Sequence, residues 1–210
     1  MIEREKLKLY AITDSAWTKD TDLVSQVRSA LLGGATIVQY REKHLPYDQL
    51  KKQASDLLLV CREFKVPLII NDDPHLAKEI DADGVHVGLS DMSVKEARRI
   101  LGEDKIIGAT AKTVEQARDA YAQGADYLGS GAVFGSSTKL DAVPMTRKTL
   151  DDICASVPIP VVAIGGIDQT NVLELKGASI AGVAVVKGIF GADDVRTAAS
   201  HLARLVGGML

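Results

Sequence analysis

Gly124-Ala125-Asp126-Tyr127 ends a segment of helical periodicity and opens an apolar, β-rich run. Variants of the same phrase stand at Gly34-Ala35-Thr36-Ile37, Ala82-Asp83-Gly84-Val85 and Gly177-Ala178-Ser179-Ile180. A glycine just past a helix accepts the left-handed conformation that turns the chain back into a sheet. Outward from these junctions, eight strand-like runs alternate with helical segments. They are Leu7 to Asp14, Thr36 to Lys43, Pro67 to Asp72, Gly84 to Gly88, Lys105 to Lys112, Tyr127 to Phe134, Pro160 to Gly166 and Gly182 to Phe190. Most are continuously apolar, as strands covered on both faces are. Between them, Leu23, Val24, Val27, Ala30 and Leu31 recur at helical spacing behind Asp20 or Thr21 as the cap. Val94, Ala97, Ile100 and Leu101 follow Ser93; Val114, Ala117, Ala120 and Tyr121 follow Thr113; Val195, Ala198, Ala199, Leu202 and Leu205 form the last stripe. Eight units of about 26 residues predict one compact α/β domain over residues 1–210, a (β/α)8 TIM barrel near the lower size limit of that fold. An open doubly wound sheet is the weaker alternative, because no G-x-G-x-x-G turn follows the first strand.

Apolar residues make up 46% of the chain and charged ones 25%, enough for a core and incompatible with a disordered chain. A net charge of -3 with both signs interspersed argues against a nucleic-acid binder held by bulk electrostatics. No apolar stretch reaches the roughly 20 residues of a membrane span. Met-Ile-Glu-Arg-Glu-Lys at the start lacks the apolar run of a secretory signal. Cys61 and Cys154 are too few for a disulfide framework or a zinc site, and each is expected to pack inside a helix. The expectation is a soluble cytoplasmic protein, with a homo-oligomer left open.

In such barrels the active site forms at the C-terminal strand ends, so polar residues there carry the functional reading. In the second strand Gln39, Arg41 and Lys43 alternate with apolar neighbours, and period two puts all three on one face. An amide and two cations at one end suit a polyanion, with Arg41 as a planar fork and Lys43 as a point charge; an ordinary solvated strand end is the other reading. The third strand ends in Asn71-Asp72-Asp73, where Asp73 before Pro74 is the expected helix cap, leaving Asn71 and Asp72 for a ligand or metal. Asp91 is either a cap or a second hard-metal ligand, and two carboxylates suit Mg²⁺. Thr110 offers a hydroxyl beside Lys112, or is simply a β-branched strand residue. Ser136-Ser137-Thr138-Lys139 reads as a plain loop or as a phosphate holder. Gly165-Gly166 and Val186-Lys187-Gly188 occupy the loops after strands seven and eight, this fold's recurrent phosphate site. His86, on an apolar strand, reads as a satisfied core residue, and Trp17 as a packing residue of the first loop.

Leu9 to Asp14, Gln39-Tyr40-Arg41-Glu42-Lys43, Asn71-Asp72-Asp73, Asp83 to Gly88 and Ile164 to Ile167 together resemble the thiamine-phosphate synthase family, in order and from about residue 7 to 205. The resemblance implies a Mg²⁺-assisted transferase that joins a hydroxymethylpyrimidine diphosphate to a thiazole phosphate, giving thiamine monophosphate and pyrophosphate. Carried onto this sequence, it implies that Gln39 holds the pyrimidine within a substrate-binding segment that also counts Tyr40 and Glu42. Arg41, Lys43, Asn71 and Lys139 would bind the diphosphate, with Arg41, Lys43 and Lys139 as the catalytic cations; Thr110 would face the same substrate. Asp72 and Asp91 would hold Mg²⁺, and Ser136, Ser137, Thr138, Gly166, Val186 and Lys187 would line the thiazole phosphate site. This chain departs from the family's usual residues at Leu89-Ser90, Thr110, Lys112, Gly135 to Thr138 and Lys187, so the thiazole side differs most. A thiazole tautomerase of the same fold group and a non-catalytic phosphate-binding module are the competing readings.

Overall fold

A computed structural model of the chain describes residues 2–17, 22–135 and 145–210. Eight parallel strands pair in sequence order: β1 (Leu9–Ile12), β2 (Ile37–Tyr40), β3 (Leu68–Asn71), β4 (Gly84–Val87), β5 (Ile106–Thr110), β6 (Tyr127–Gly131), β7 (Val161–Ile164) and β8 (Gly182–Val185). β8 returns to pair with β1, closing the barrel expected from the strand–helix rhythm and excluding the open sheet. Among the described strands, closure leaves no edge to protect.

The helices are α1 (Leu23–Leu32), α2 (Tyr47–Phe64), α3 (Pro74–Glu79), α4 (Val94–Leu101), α5 (Val114–Ala122), α6 (Arg147–Ser156), α7 (Lys187–Phe190) and α8 (Val195–Met209). Their starts are decided locally. Asp73 accepts from the N–H groups of His75 and Leu76 with Pro74 in the first turn, as expected. Ser93 forms a reciprocal capping box with Glu96, and Thr113 accepts from Gln116. The cap of α1 is Asp22, which accepts from Ser25 N–H; the expected caps, Asp20 and Thr21, lie outside the described residues.

Two expectations are corrected. The run Gly182 to Phe190 is not one strand: pairing stops at Val185, and Lys187–Phe190 turn into α7. After β7 the chain makes only a 3₁₀ turn, Val172–Leu175, where a regular α-helix was expected.

Two apolar layers result. The outer one lies between sheet and helices and takes Leu9, Val38, Tyr40, Leu68 and Val85. The inner one fills the barrel with Tyr10, Ile12, Ile37, Ile69, Tyr127 and Val162. Fully buried Ile37 and Ile69 each contribute about 2 kcal/mol of burial and form part of an apolar plug beneath the mouth. Both cysteines sit in helices, Cys61 in α2 and Cys154 in α6, where burial pushes their thiols up to about 12 and about 11. Neither is a reactive thiolate near neutral pH.

Candidate active site

A cavity of about 810 Å³ opens at the C-terminal ends of the strands. Period two along β2 aims Gln39 into it and Tyr40 away from it. Arg41 and Lys43 lie just past the sheet and line the same cavity. Arg41 is held at its base: its N–H donates to Thr13 Oγ1 at 3.0 Å. Its guanidinium Nη1 lies 3.6 Å from Asp14 Oδ2. The end of β1 therefore anchors the cation supplied by β2, a contribution of Thr13 and Asp14 that reading β2 alone misses.

Tyr40 and Glu42, expected within the substrate-binding segment, are placed elsewhere. Tyr40 is buried in the outer layer and donates its hydroxyl to Gln53 of α2. Glu42 accepts from the N–H groups of Lys43 and His44, shaping the turn after β2. Neither lines the cavity. Their place in the motif has a local structural cause.

Across the mouth, Asn71 and Asp72 follow β3 and Asp91 follows β4, all on the cavity wall. Asp91 is not a helix cap, since Ser93 has that role; its Oδ2 accepts from Gly88 N–H at 2.8 Å. Burial, followed by the adjacent Asp91 carboxyl, raises the Asp72 carboxyl to about 6, against a smaller lowering by Lys43 and Asn71. A half-buried carboxylate beside a second one is an unfavourable pair until a cation joins it. Among the described residues no cluster of three or more His, Cys, Asp or Glu side chains could hold a metal. Asp72 and Asp91 could offer two carboxylates to a hard cation, a donor set of the kind that suits Mg²⁺, an ion that keeps waters and shares phosphate oxygens.

The opposite wall is backbone-rich. Gly165, Gly166, Val186, Lys187 and Gly188 line it. Gly166 has φ +67°, and a Cβ there would come within 2.6 Å of the Phe134 carbonyl oxygen. The glycine is required by packing against the loop after β6, independently of any ligand. Lys187 Nζ sits 5.5 Å from the ring centroid of Trp17, so Trp17 packs under a cation at the rim. Ser136, Ser137, Thr138 and Lys139 lie outside the described residues.

Three residues given no catalytic or binding role from the sequence belong to the floor. Tyr10, His86 and Tyr127 line the cavity together with Thr110. His86 Nε2 is 3.1 Å from Thr110 Oγ1 and its Nδ1 is 3.1 Å from the Tyr127 hydroxyl. Tyr127 and Tyr10 share a 2.8 Å hydrogen bond, and Gln39 Nε2 donates to Tyr10 at 2.9 Å. His86 is satisfied, as its apolar strand implied, yet it faces the site. The neighbouring strands make room: a Cβ at Gly108 would collide with the Tyr127 ring, and one at Gly129 would come 3.1 Å from His86 Cε1.

A protein-family model described as thiamine monophosphate synthase matches residues 9–189. The chain belongs to that family. A thiamine-phosphate synthase of Clostridium tetani is 42% identical over 194 residues, covering 92% of this chain and 93% of that protein. One from Chloroflexus aurantiacus is 44% identical over 200 residues, covering 95% and 92%. Among solved structures, thiamine phosphate pyrophosphorylase from Pyrococcus furiosus superposes with a TM-score of 0.91 at 40% identity, covering 99% of this chain and 98% of that one. Membership in the thiamine monophosphate synthase family therefore extends over both walls of the cavity, from Gln39 to Lys187.

Proposed function

We propose that the chain condenses 4-amino-2-methyl-5-hydroxymethylpyrimidine diphosphate with a thiazole phosphate, releasing pyrophosphate and forming thiamine monophosphate. The observation that carries this reading is the meeting of Arg41, Lys43 and Asn71 with the Asp72–Asp91 pair around one cavity. A thiazole tautomerase needs a phosphate site and a proton-transfer group, but no such cation-and-carboxylate arrangement. A binding module gains nothing from holding two carboxylates together.

In this reaction the methylene C–O bond breaks and its electron pair leaves with pyrophosphate. The thiazole nitrogen lone pair then forms the new C–N bond. Arg41 and Lys43 stabilise the negative charge that develops on the leaving group, and Arg41 does so from a position fixed by Asp14 and Thr13. Asn71 donates from its amide to the same oxygens. Gln39 and Thr110 hold the pyrimidine at the floor. Gly166, Val186 and Lys187 offer N–H groups and one cation to the thiazole phosphate, with Ser136, Ser137, Thr138 and Lys139 assigned to the phosphate groups by family resemblance. Asp72 and Asp91 would hold Mg²⁺, which supplies positive charge to the leaving pyrophosphate when bound. The pyrimidine amino group delocalises the methylene cation, so the reaction asks for no protein nucleophile or general base. The assigned partners are therefore small molecules. Among the described residues no helix is long and apolar enough to cross a membrane, and we place the reaction in the cytoplasm.

The test is pyrophosphate release from the pyrimidine diphosphate, with and without thiazole phosphate and Mg²⁺, while thiamine monophosphate is monitored. Release that requires all three supports the transferase. A folded protein that binds thiazole phosphate and releases nothing is a tautomerase or a binding module. Lys187→Ser is expected to be mild, because the N–H groups remain: KM for the thiazole phosphate rises about 3-fold and kcat holds, the size of one exposed cation. Trp17 is the sole tryptophan, so loss of the overlying Lys187 also shifts its fluorescence and reports the contact without turnover. A tenfold or larger fall in kcat would make Lys187 part of the chemistry.

A further inference from the structure

The floor of the cavity contains an unbroken hydrogen-bonded chain, Gln39–Tyr10–Tyr127–His86–Thr110, assembled from β2, β1, β6, β4 and β5. Its members come from five strands, and both of its ends line the cavity. The direction of every proton in it follows from counting donors and acceptors.

Gln39 Nε2 is a donor, so the Tyr10 oxygen accepts from it. Tyr10 is buried, and its hydroxyl hydrogen has one other partner among the described residues, the Tyr127 oxygen. If Tyr127 donated instead, the Tyr10 hydrogen would be orphaned in the barrel interior, an arrangement folded proteins avoid. Tyr10 therefore donates to Tyr127. Tyr127 is equally buried, and its own hydrogen goes to His86 Nδ1. With Nδ1 accepting, the ring hydrogen of a neutral His86 resides on Nε2 and points at Thr110 Oγ1. Thr110, having accepted, keeps its own hydrogen for the cavity. At the other end Gln39, whose nitrogen is engaged, keeps its carbonyl oxygen. Among the described residues that oxygen accepts no hydrogen bond.

We propose that Tyr127 and Tyr10 are positioning residues, Tyr127 holding His86 as its Nε2–H tautomer and Tyr10 holding the Gln39 amide, and that together they fix the polarity of the floor, an acceptor at Gln39 and a hydroxyl donor at Thr110. A ligand must then present a donor toward Gln39 and an acceptor toward Thr110. An aromatic ring carrying an amino donor and a ring-nitrogen acceptor has that pattern; a ring with an oxo group and a ring N–H in those places has it reversed. The ligand half of this inference rests on the reaction proposed above, whereas the tautomer does not.

The decisive measurement is ¹⁵N NMR of the ligand-free protein labelled in its histidine rings. The His86 signal is assigned against the other three histidines by its loss in a His86→Gln variant. The expected result is a neutral ring with hydrogen on Nε2; hydrogen on Nδ1, alone or together with Nε2, overturns the proposal. Tyr127→Phe removes the donor to Nδ1 and is expected to mix the two tautomers. Tyr10→Phe leaves that donor in place and is expected to keep Nε2–H while loosening Gln39, a contrast that a merely structural pair of tyrosines would not produce. In both variants KM for the pyrimidine diphosphate should rise about 3- to 10-fold, the scale of one hydrogen bond, with KM for thiazole phosphate unchanged. Measured as an inhibitor, the 4-oxo analogue of the pyrimidine diphosphate should bind at least about tenfold more weakly than the 4-amino compound, because it leaves buried polar groups facing like partners. Equal affinity overturns the polarity. If the wild-type protein shows the Nε2–H tautomer but no condensation, the proposed reaction fails while the relay stands.

Discussion

Asp72→Asn is expected to make the metal-free protein more stable and the loaded protein nearly inactive. The activity loss follows from removing one of two carboxylates assigned to Mg²⁺. The remaining one, Asp91, already accepts Gly88 N–H through Oδ2, so it has little room to compensate. Loss of one element of charge stabilisation at a developing anion lowers kcat by about 10²–10³-fold, and the Mg²⁺ concentration needed for half-activity should rise as well. The stability gain has the opposite origin. Burial and the neighbouring Asp91 raise the Asp72 carboxyl to about 6 in the folded chain, above its value in an unfolded one. The folded state therefore holds this proton more tightly. Its stabilising contribution is complete below the unfolded value and is lost as pH rises through about 6. Asparagine mimics the protonated form and escapes that loss. The variant should match the wild type at pH 4 and exceed it at pH 8. The difference is about 1 kcal/mol, after allowing for solvent around a half-buried group, or some 2–4 °C in Tm. Thermal unfolding in chelator at the two pH values measures it. An unchanged Tm at pH 8 would mean that the two carboxylates do not oppose one another, and wild-type turnover would remove Asp72 from the metal site.

Arg41→Met is expected to lower kcat by about 10²-fold or more, since a charge-assisted contact from a fork-shaped donor to the leaving diphosphate is lost. Arg41→Lys should recover part of this, remaining about tenfold below wild type, because a point charge cannot reproduce the guanidinium fork. Removing Arg41 also strips Asp14 of its partner at 3.6 Å and leaves a negative charge beside the diphosphate site. The double variant Asp14→Asn/Arg41→Met should therefore be more active than Arg41→Met alone. If it is not, Asp14 acts only on the conformation of the loop. Single-turnover pyrophosphate release separates this effect from product release. Unchanged release in Arg41→Met would assign the diphosphate to other cations.

The closed barrel was legible because each unit repeats the same physical problem. A strand covered on both faces must be apolar, a helix needs a cap, and a glycine must reverse the chain; Gly124-Ala125-Asp126-Tyr127 shows the last of these in four residues. The cluster Gln39, Arg41 and Lys43 was equally legible, since the two-residue period survives even where the ladder ends at Tyr40. The same period sends Tyr40 to the other face, where its hydroxyl meets Gln53. The misread strand end at Lys187–Phe190 has a different cause. A short apolar run satisfies a buried strand and a buried helix alike, and only the geometry of the barrel mouth turns the chain there.

What the sequence determines by itself is therefore the repeating alternation, the caps, the glycine turns and the strand ends that carry charge, all of them consequences of neighbours within a few residues. The tertiary structure decides the rest. Tyr10 and Tyr127 are 117 residues apart, and nothing local in either tells that their hydroxyls meet. Burial and the Asp91 carboxyl raise the Asp72 carboxyl only once β3 and β4 lie side by side, with Asn71 opposite His86 in the register. A polar residue on an apolar strand is ambiguous until closure of the barrel gives its side chain an inside. For His86 that inside is the floor of the site.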